Sequence, residues 1–392
     1  MFRNHLRINH GSHVFREEMI LLINISLKVI YINRSGSLQP SDIFFLLGMG
    51  ALVLRNRGRI LLREKENAAV FFFLLMVYQF LVNGIWAIAL SDFKLLKPCL
   101  FYLFNFFAFI LTVGITRKYG SFRVKRAISM GAILSEVISI VGILGGGITV
   151  EARGSGFFNN PNQLGYHGLI CLTILILCAD ALNKTERMAM LLLSVYCVLS
   201  SASRGAIIGS LFLMFVQLLY RTKWNPKSVM MGVVFCVLLI VFVHIVLYSD
   251  IDFIASNPQI VMLRYRIMNL FAGESSNLSD GRGYGRIFEM GRNYLWGMGE
   301  GAYYRFEHLT NFELHSTLVS LFVSYGIIGF CGYLALFKMC MGNGRQFINN
   351  LCLLSGVLLY TITHNSIRTT LTWIVLGLIY VINQEKEKGK RT

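Results

Sequence analysis

The sequence predicts an all-α integral membrane protein, polytopic with about twelve transmembrane helices and one long external loop, on three observations. Of its 392 residues, 55% are hydrophobic and 15% charged, where soluble proteins carry about a quarter charged residues. Apolar stretches recur every 20 to 35 residues from Met19 almost to the C-terminus. The 37 Lys and Arg residues are shared unequally between alternate connections, as orientation in a membrane requires. A soluble enzyme is excluded by these three together. The formal net charge of +17 then reports orientation, and no nucleic-acid partner is expected.

With about 20 apolar residues needed to cross the hydrocarbon core, spans are expected over 18–33, 40–54, 68–90, 99–115, 127–148 and 165–181. Six more are expected over 188–202, 205–220, 229–248, 315–337, 348–363 and 369–383. Lys28 interrupts the first, and the second and seventh are short, so the range is ten to twelve. All five prolines (Pro40, Pro98, Pro161, Pro226 and Pro258) lie at span edges or in connections, where a missing N–H is tolerated. With the N-terminus cytoplasmic, 24 basic residues fall on the cytoplasmic side and 12 on the other, or 24 against 6 without the long loop. Both termini are then cytoplasmic. No cleavable signal peptide is expected, because the first apolar run starts late and lacks a small-residue cleavage pattern. The eight cysteines lie in or beside apolar runs, so no disulfide framework is indicated. Residues 1–392 therefore read as a single membrane domain, with 249–314 as a large loop between the ninth and tenth spans.

Chemistry is expected on the external side, where basic residues are normally avoided and ten of the twelve are arginine. All six in the long loop (Arg264, Arg266, Arg282, Arg286, Arg292 and Arg305) are arginine, the planar fork donor suited to phosphate oxygens. Pairing with acids of the same loop is the plainer alternative. Arg204 stands in a short turn, Ser200 to Gly205, between two apolar runs, which holds its guanidinium near the level of a lipid head group. It either binds there or snorkels to water. Arg153 and Arg368 occupy similar edges. The segment Gly154 to Gly165, with Asn160 and Asn162, suits a tight turn whose amides hold sugar hydroxyls, or simply caps the sixth span. The glycines of Trp296 to Gly301 let backbone approach a ligand or make a turn. His167, His308, His315 and His364 fall at or near the same face. His315, where the loop re-enters the membrane, is placed to take a proton from a sugar hydroxyl or to cap a helix. Asp250 and Asp252 are the nearest approach to a metal-binding pair, and neither metal nor cofactor is expected.

Read together, GSGFFNNPNQLGYHG, SASRGAIIG, GRGYGR before WGMGEG, and ELHSTLVSLFVSYGIIGFCGYLALF resemble the O-antigen ligase/polymerase superfamily over about residues 150–340. The resemblance implies a bacterial inner-membrane glycosyltransferase that takes glycan from undecaprenyl diphosphate on the periplasmic side, without nucleotide sugar or metal. It matches Arg204 to the family's turn arginine, Arg282 or Arg286 to its loop arginine, and His315 to its histidine at the loop's return. Arg204 with Arg282 or Arg286 would hold the diphosphate and His315 would deprotonate the acceptor. Arg153, Asn160, Asn162, Arg292, Arg305 and Arg368 would contact substrate. The expected reaction is inverting polymerisation of lipid-linked repeat units, for which the Asn-Pro-Asn turn argues. Ligation of the finished glycan to lipid A-core is the alternative. The partners are then the lipid-linked glycan, an acceptor glycan or lipid A-core, membrane lipid and a chain-length regulator. A flippase for lipid-linked sugars is the reading from another class, disfavoured by the few intramembrane ionisable groups, Lys28, Glu136 and His244.

Overall fold

The computed structural model describes residues 17–33, 37–56, 66–149, 152–221, 257–271, 284–301 and 314–388, with single positions between 230 and 248. Among these the chain is all-α, with twelve helices: α1 Glu18–Leu27, α2 Pro40–Arg55, α3 Asn67–Ala89, α4 Lys97–Tyr119, α5 Ser121–Leu144 and α6 Pro161–Leu177. There follow α7 Lys184–Ser200, α8 Arg204–Arg221, α9 Pro258–Phe271, α10 Thr317–Met341, α11 Gly344–Thr363 and α12 Thr370–Lys388. Five stretches are long and apolar enough to cross a membrane: Asn67–Ala89, Phe93–Tyr119, Ser121–Leu144, Thr317–Met341 and Gly344–Thr363. The ninth expected span is represented by helical positions at Met230, Val234, Val237, Val241, His244 and Tyr248; the rest of 229–248 lies outside the described residues.

The short elements depart from the expected lengths for local reasons. α1 stops at Lys28, whose ammonium pairs with Asp42 at 2.6 Å, so its ten residues rise only about 15 Å. Residues 29–33 continue as extended chain and turn, with the Tyr31 amide donating to the Phe157 carbonyl at 3.2 Å. Pro40 starts α2 behind a capping box between Gln39 and Asp42, and Asn183 with Glu186 makes the same device at α7.

The last helix is the centre of the bundle. α12 buries Leu371, Trp373, Ile374, Val375, Leu376, Leu378, Ile379, Tyr380 and Val381, and a helix apolar on every side belongs inside. α4, α10 and α6 pack around it, with α1 against α5 and α2, and α8 against α11. Trp373 sits between Phe72 of α3 and Tyr333 and Phe337 of α10. Buried Thr112, Thr116 and Thr173 return their hydroxyls to carbonyls four residues back, which makes them compatible with an apolar interior. α8 and α11 meet backbone to backbone: a Cβ at Gly356 would lie 2.3 Å from the Gly209 carbonyl oxygen, the close approach that small residues permit between membrane helices. Gly356→Val should therefore destabilise the folded protein by about 1–3 kcal/mol, read as a lowered midpoint of thermal unfolding in detergent. An unchanged midpoint would remove this contact from the account.

Ion pairs sort by end. Lys118–Glu17, Arg123–Glu18, Arg117–Glu66, Lys125–Asp180 and Arg126–Glu186 join helix ends on the face expected to be cytoplasmic. At the opposite end stand Lys28–Asp42 and Arg368–Glu300. All seven cysteines within the described residues are free; Cys236 lies outside them.

Candidate active site

The turn between α7 and α8 is the first piece of the site. Ala202, at φ 46, turns the chain so that Ser203 precedes α8 and Arg204 is its first residue. Among the described residues the buried Ser203 hydroxyl has no hydrogen-bond partner, and half-buried Arg204 has no ion pair or hydrogen bond. Position one of a helix exposes free backbone amides and the positive end of its dipole. α9 lies over this turn, with Leu263 packed on Ala202 and Ile267 and Met262 beside Leu199 and Ile207.

The Gly154–Gly165 segment closes on the same turn. The Gly154 amide donates to the Ser200 carbonyl at 2.8 Å. Buried Arg153 sends Nε to the Ser201 carbonyl at 3.0 Å and Nη2 to Asn162 Oδ1 at 2.8 Å. Asn160 caps α6, its Oδ1 accepting from the Asn162 amide at 2.8 Å, which supports the capping role read from the sequence. A Cβ at Gly165 would fall 2.6 Å from the Ser201 hydroxyl, so α6 at Gly165 rests directly on the side chains of Ser201, Ser203 and Ala206. The Asn162 carbonyl in turn accepts from the Tyr360 hydroxyl at 3.1 Å, and Tyr360 stacks on His364 with centroids 4.3 Å apart.

The loop's return completes the corner. Ser316 caps α10, and both the amide and the hydroxyl of Thr317 donate to the His364 carbonyl, at 3.2 and 3.0 Å. His315 is exposed at this junction, between buried Leu314 and Ser316. Before it, a 3₁₀ segment over Tyr284–Tyr294 packs Met290 against Leu314, Val319 and Val323. Its Tyr284 hydroxyl donates to the Ile362 carbonyl, two residues from His364. Arg286 follows on that backbone, while Arg282 and Arg305 lie outside the described residues and Arg292 is exposed on the segment.

The glycine-rich stretch after Trp296 serves a different purpose. α10 is kinked at Gly326 (φ 62), and the carbonyls of Val323 and Ser324 accept from the amides of Met298 and Gly299, each at 2.9 Å. A Cβ at Gly297 would stand 2.4 Å from the Ser324 oxygen, so only glycine fits. Glu300, expected in the polar loop, is thereby carried into the bundle and wholly buried. It accepts from Arg368 Nε at 2.8 Å and from the Tyr325 hydroxyl at 2.6 Å, and its amide donates to Asn83 at 2.9 Å. Arg368, expected at the membrane edge, is thus committed to a buried carboxylate.

Arg153, Asn160, Asn162, Arg204, His315 and the backbone of Arg286 therefore gather at one end of the bundle, where α6, α8 and α10 all begin. Three helix N-termini add positive potential to the arginines, a setting for an anion. Sequence reasoning gave His364 and Tyr360 no role, although their spacing of four on a helix places the two rings together. Ser203 was also passed over, and the sequence offers Glu300 only as one of the loop acids available for surface ion pairs with the loop arginines. Among the described residues no three His, Cys, Asp or Glu side chains are grouped to hold a metal ion.

Residues 189–334 match a protein-family model described as O-Antigen ligase, a stretch that runs from α7 through most of α10 and includes Arg204, Arg286, Glu300 and His315. No curated protein matches the chain.

Proposed function

From the O-antigen ligase domain carried by residues 189–334, we propose that this membrane protein is a glycosyltransferase using a polyprenyl-diphosphate-linked glycan donor at the periplasmic face, with both termini cytoplasmic. The observation that carries the reading is the convergence of Arg204, Arg153 and the starts of α6, α8 and α10 on one corner that also holds His315. A diphosphate suits that corner because guanidinium groups and helix N-termini both bind phosphate oxygens.

In the proposed step an acceptor hydroxyl attacks the anomeric carbon from the face opposite the diphosphate. Its proton passes to His315, and the electron pair of the breaking C–O bond leaves on the diphosphate, which Arg204 with Arg282 or Arg286 stabilises. The configuration inverts. Diphosphate is already a fair leaving group, so positioning and charge stabilisation carry most of the rate. Polymerisation of repeat units is our first reading, on the Asn-Pro-Asn turn whose Asn162 holds Arg153. Ligation to lipid A-core is the second, favoured by the description of the matching family.

The test is incubation of the reconstituted protein with undecaprenyl-diphosphate-linked repeat units of its host, with and without lipid A-core. A ladder of longer lipid-linked glycans without lipid A-core is the expected product. Glycan on lipid A-core alone would replace polymerisation by ligation. No transfer by folded protein would sink the enzymatic reading and bring transport forward, to which the break in α10 at Gly326 would then be relevant.

A further inference from the structure

The turn that carries Arg204 is closed into a ring of contacts. From the Ser201 carbonyl the ring runs through Arg153 (3.0 Å), Asn162 (2.8 Å) and Tyr360 (3.1 Å). Tyr360 stacks on His364 at 4.3 Å and 15°, and the His364 imidazole returns to the turn at Gly205, where a Cβ would lie 2.8 Å from its Cε1. The ring therefore starts three residues before Arg204 and ends one residue after it. His364 is the member with most attachments. Its Nδ1 lies 2.9 Å from the Thr363 hydroxyl, its amide bonds Tyr360, and its carbonyl holds Thr317 at the start of α10, two residues from His315.

We propose that His364 is a positioning residue, a wedge between α11 and the α7–α8 turn whose imidazole aims the Arg204 guanidinium. This rests on the reading of the corner as a diphosphate-binding transfer site. Its physical basis is geometric: Cε1 and Nδ1 of the imidazole, closing on Gly205, fix the first peptide of α8, and a side chain is aimed by the backbone that carries it. Loss of the imidazole removes the contact that sets Gly205 against α11 while the other tethers of the turn remain, and a displacement of about 1 Å at a reacting centre costs on the order of a hundredfold in rate.

The experiment compares wild type, His364→Ala, His364→Phe and Gly205→Ala, each alone and in an Arg204→Ala background, in transfer from undecaprenyl-diphosphate-linked repeat units. Unfolding midpoints are measured alongside. His364→Ala should lower kcat about 10- to 100-fold, with little change in KM. His364→Phe keeps an aromatic ring against Tyr360 and Gly205 and should recover to within about threefold. Gly205→Ala, which forces the ring away without removing it, should behave like His364→Ala. In the Arg204→Ala background all three should cost almost nothing more, because the group they aim is gone. Full activity of His364→Ala, or losses that add to that of Arg204→Ala, would overturn the inference while leaving the site assignment standing. Wild type that transfers nothing removes the site reading, and the inference with it. Should His364→Ala fail to fold, the phenylalanine and Gly205→Ala variants decide.

Discussion

Arg204→Ala should lower glycan transfer by about 10²- to 10³-fold while leaving the unfolding midpoint where it was. The two halves of this expectation have separate causes. Arg204 makes no ion pair or hydrogen bond with the described residues, so its removal breaks nothing that holds the bundle. The turn keeps its tethers through Gly154 to Ser200 and Arg153 to Ser201, and α9 still covers Ala202. What is lost is a charged donor at the amino end of α8, in a place where a neighbouring buried hydroxyl, Ser203, also has no partner among the described residues. A preorganised donor stabilises charge as it develops on the leaving diphosphate and needs no reorganisation at that moment. Arg204→Lys should recover no more than about tenfold, since a single ammonium replaces a fork that spans two phosphate oxygens. Paired measurements of transfer and of thermal unfolding on purified protein check both halves. Full activity in Arg204→Ala would sink the assignment, and a large loss of stability would convert it into a structural one.

How much of this was legible in the sequence differs by kind of signal. The long helices are written locally, as runs of apolar residues bounded by Pro40, Pro98 or Pro161, and the structure starts α2, α4 and α6 at or beside those residues. The one-sided distribution of charge foretold that the Arg153 segment, the Arg204 turn and the His315 return would share a face. They do share an end of the bundle, although nothing in the pattern could supply the Arg153–Asn162–Tyr360 connection that joins them. α1 was overestimated because hydropathy counts Val29, Ile30 and Tyr31 equally whether or not they are helical. The decision lies with Lys28 finding Asp42. The stretch from Trp296 to Gly301 was legible only in part: its glycines do turn the chain, at positive φ. Their partner is the α10 backbone at Gly326 rather than a ligand, and the acid they deliver meets an arginine 68 positions later. Pairings at that separation are set by the assembled fold and leave no periodic trace.

Arg368 and Arg204 look alike in the sequence, both arginines at the external edge of a span, and they should give opposite experimental signatures. Glu300→Ala should destabilise the protein by about 3 kcal/mol, less than the full cost for a buried pair because Arg368 keeps one-fifth of its side-chain surface exposed. The penalty is that of leaving a guanidinium without its carboxylate beside Phe101, with the Tyr325 hydroxyl also losing its acceptor. It is not a measure of the pair's net worth, since two charges taken out of water recover only part of their hydration. The double variant Glu300→Gln with Arg368→Met, neutral on both sides, should therefore regain more than half of the stability lost in Glu300→Gln alone, which a double-mutant cycle with those two substitutions as its single variants would measure on unfolding midpoints. Transfer activity in these variants should fall only in proportion to the folded fraction. Glu300 lies in the match to the O-antigen ligase family, yet its geometry is that of an anchor that ties the end of the long loop to α3, α10 and the start of α12. If folded Glu300→Gln/Arg368→Met protein loses transfer as severely as Arg204→Ala, the pair belongs to the chemistry after all, and the division between the two arginines fails.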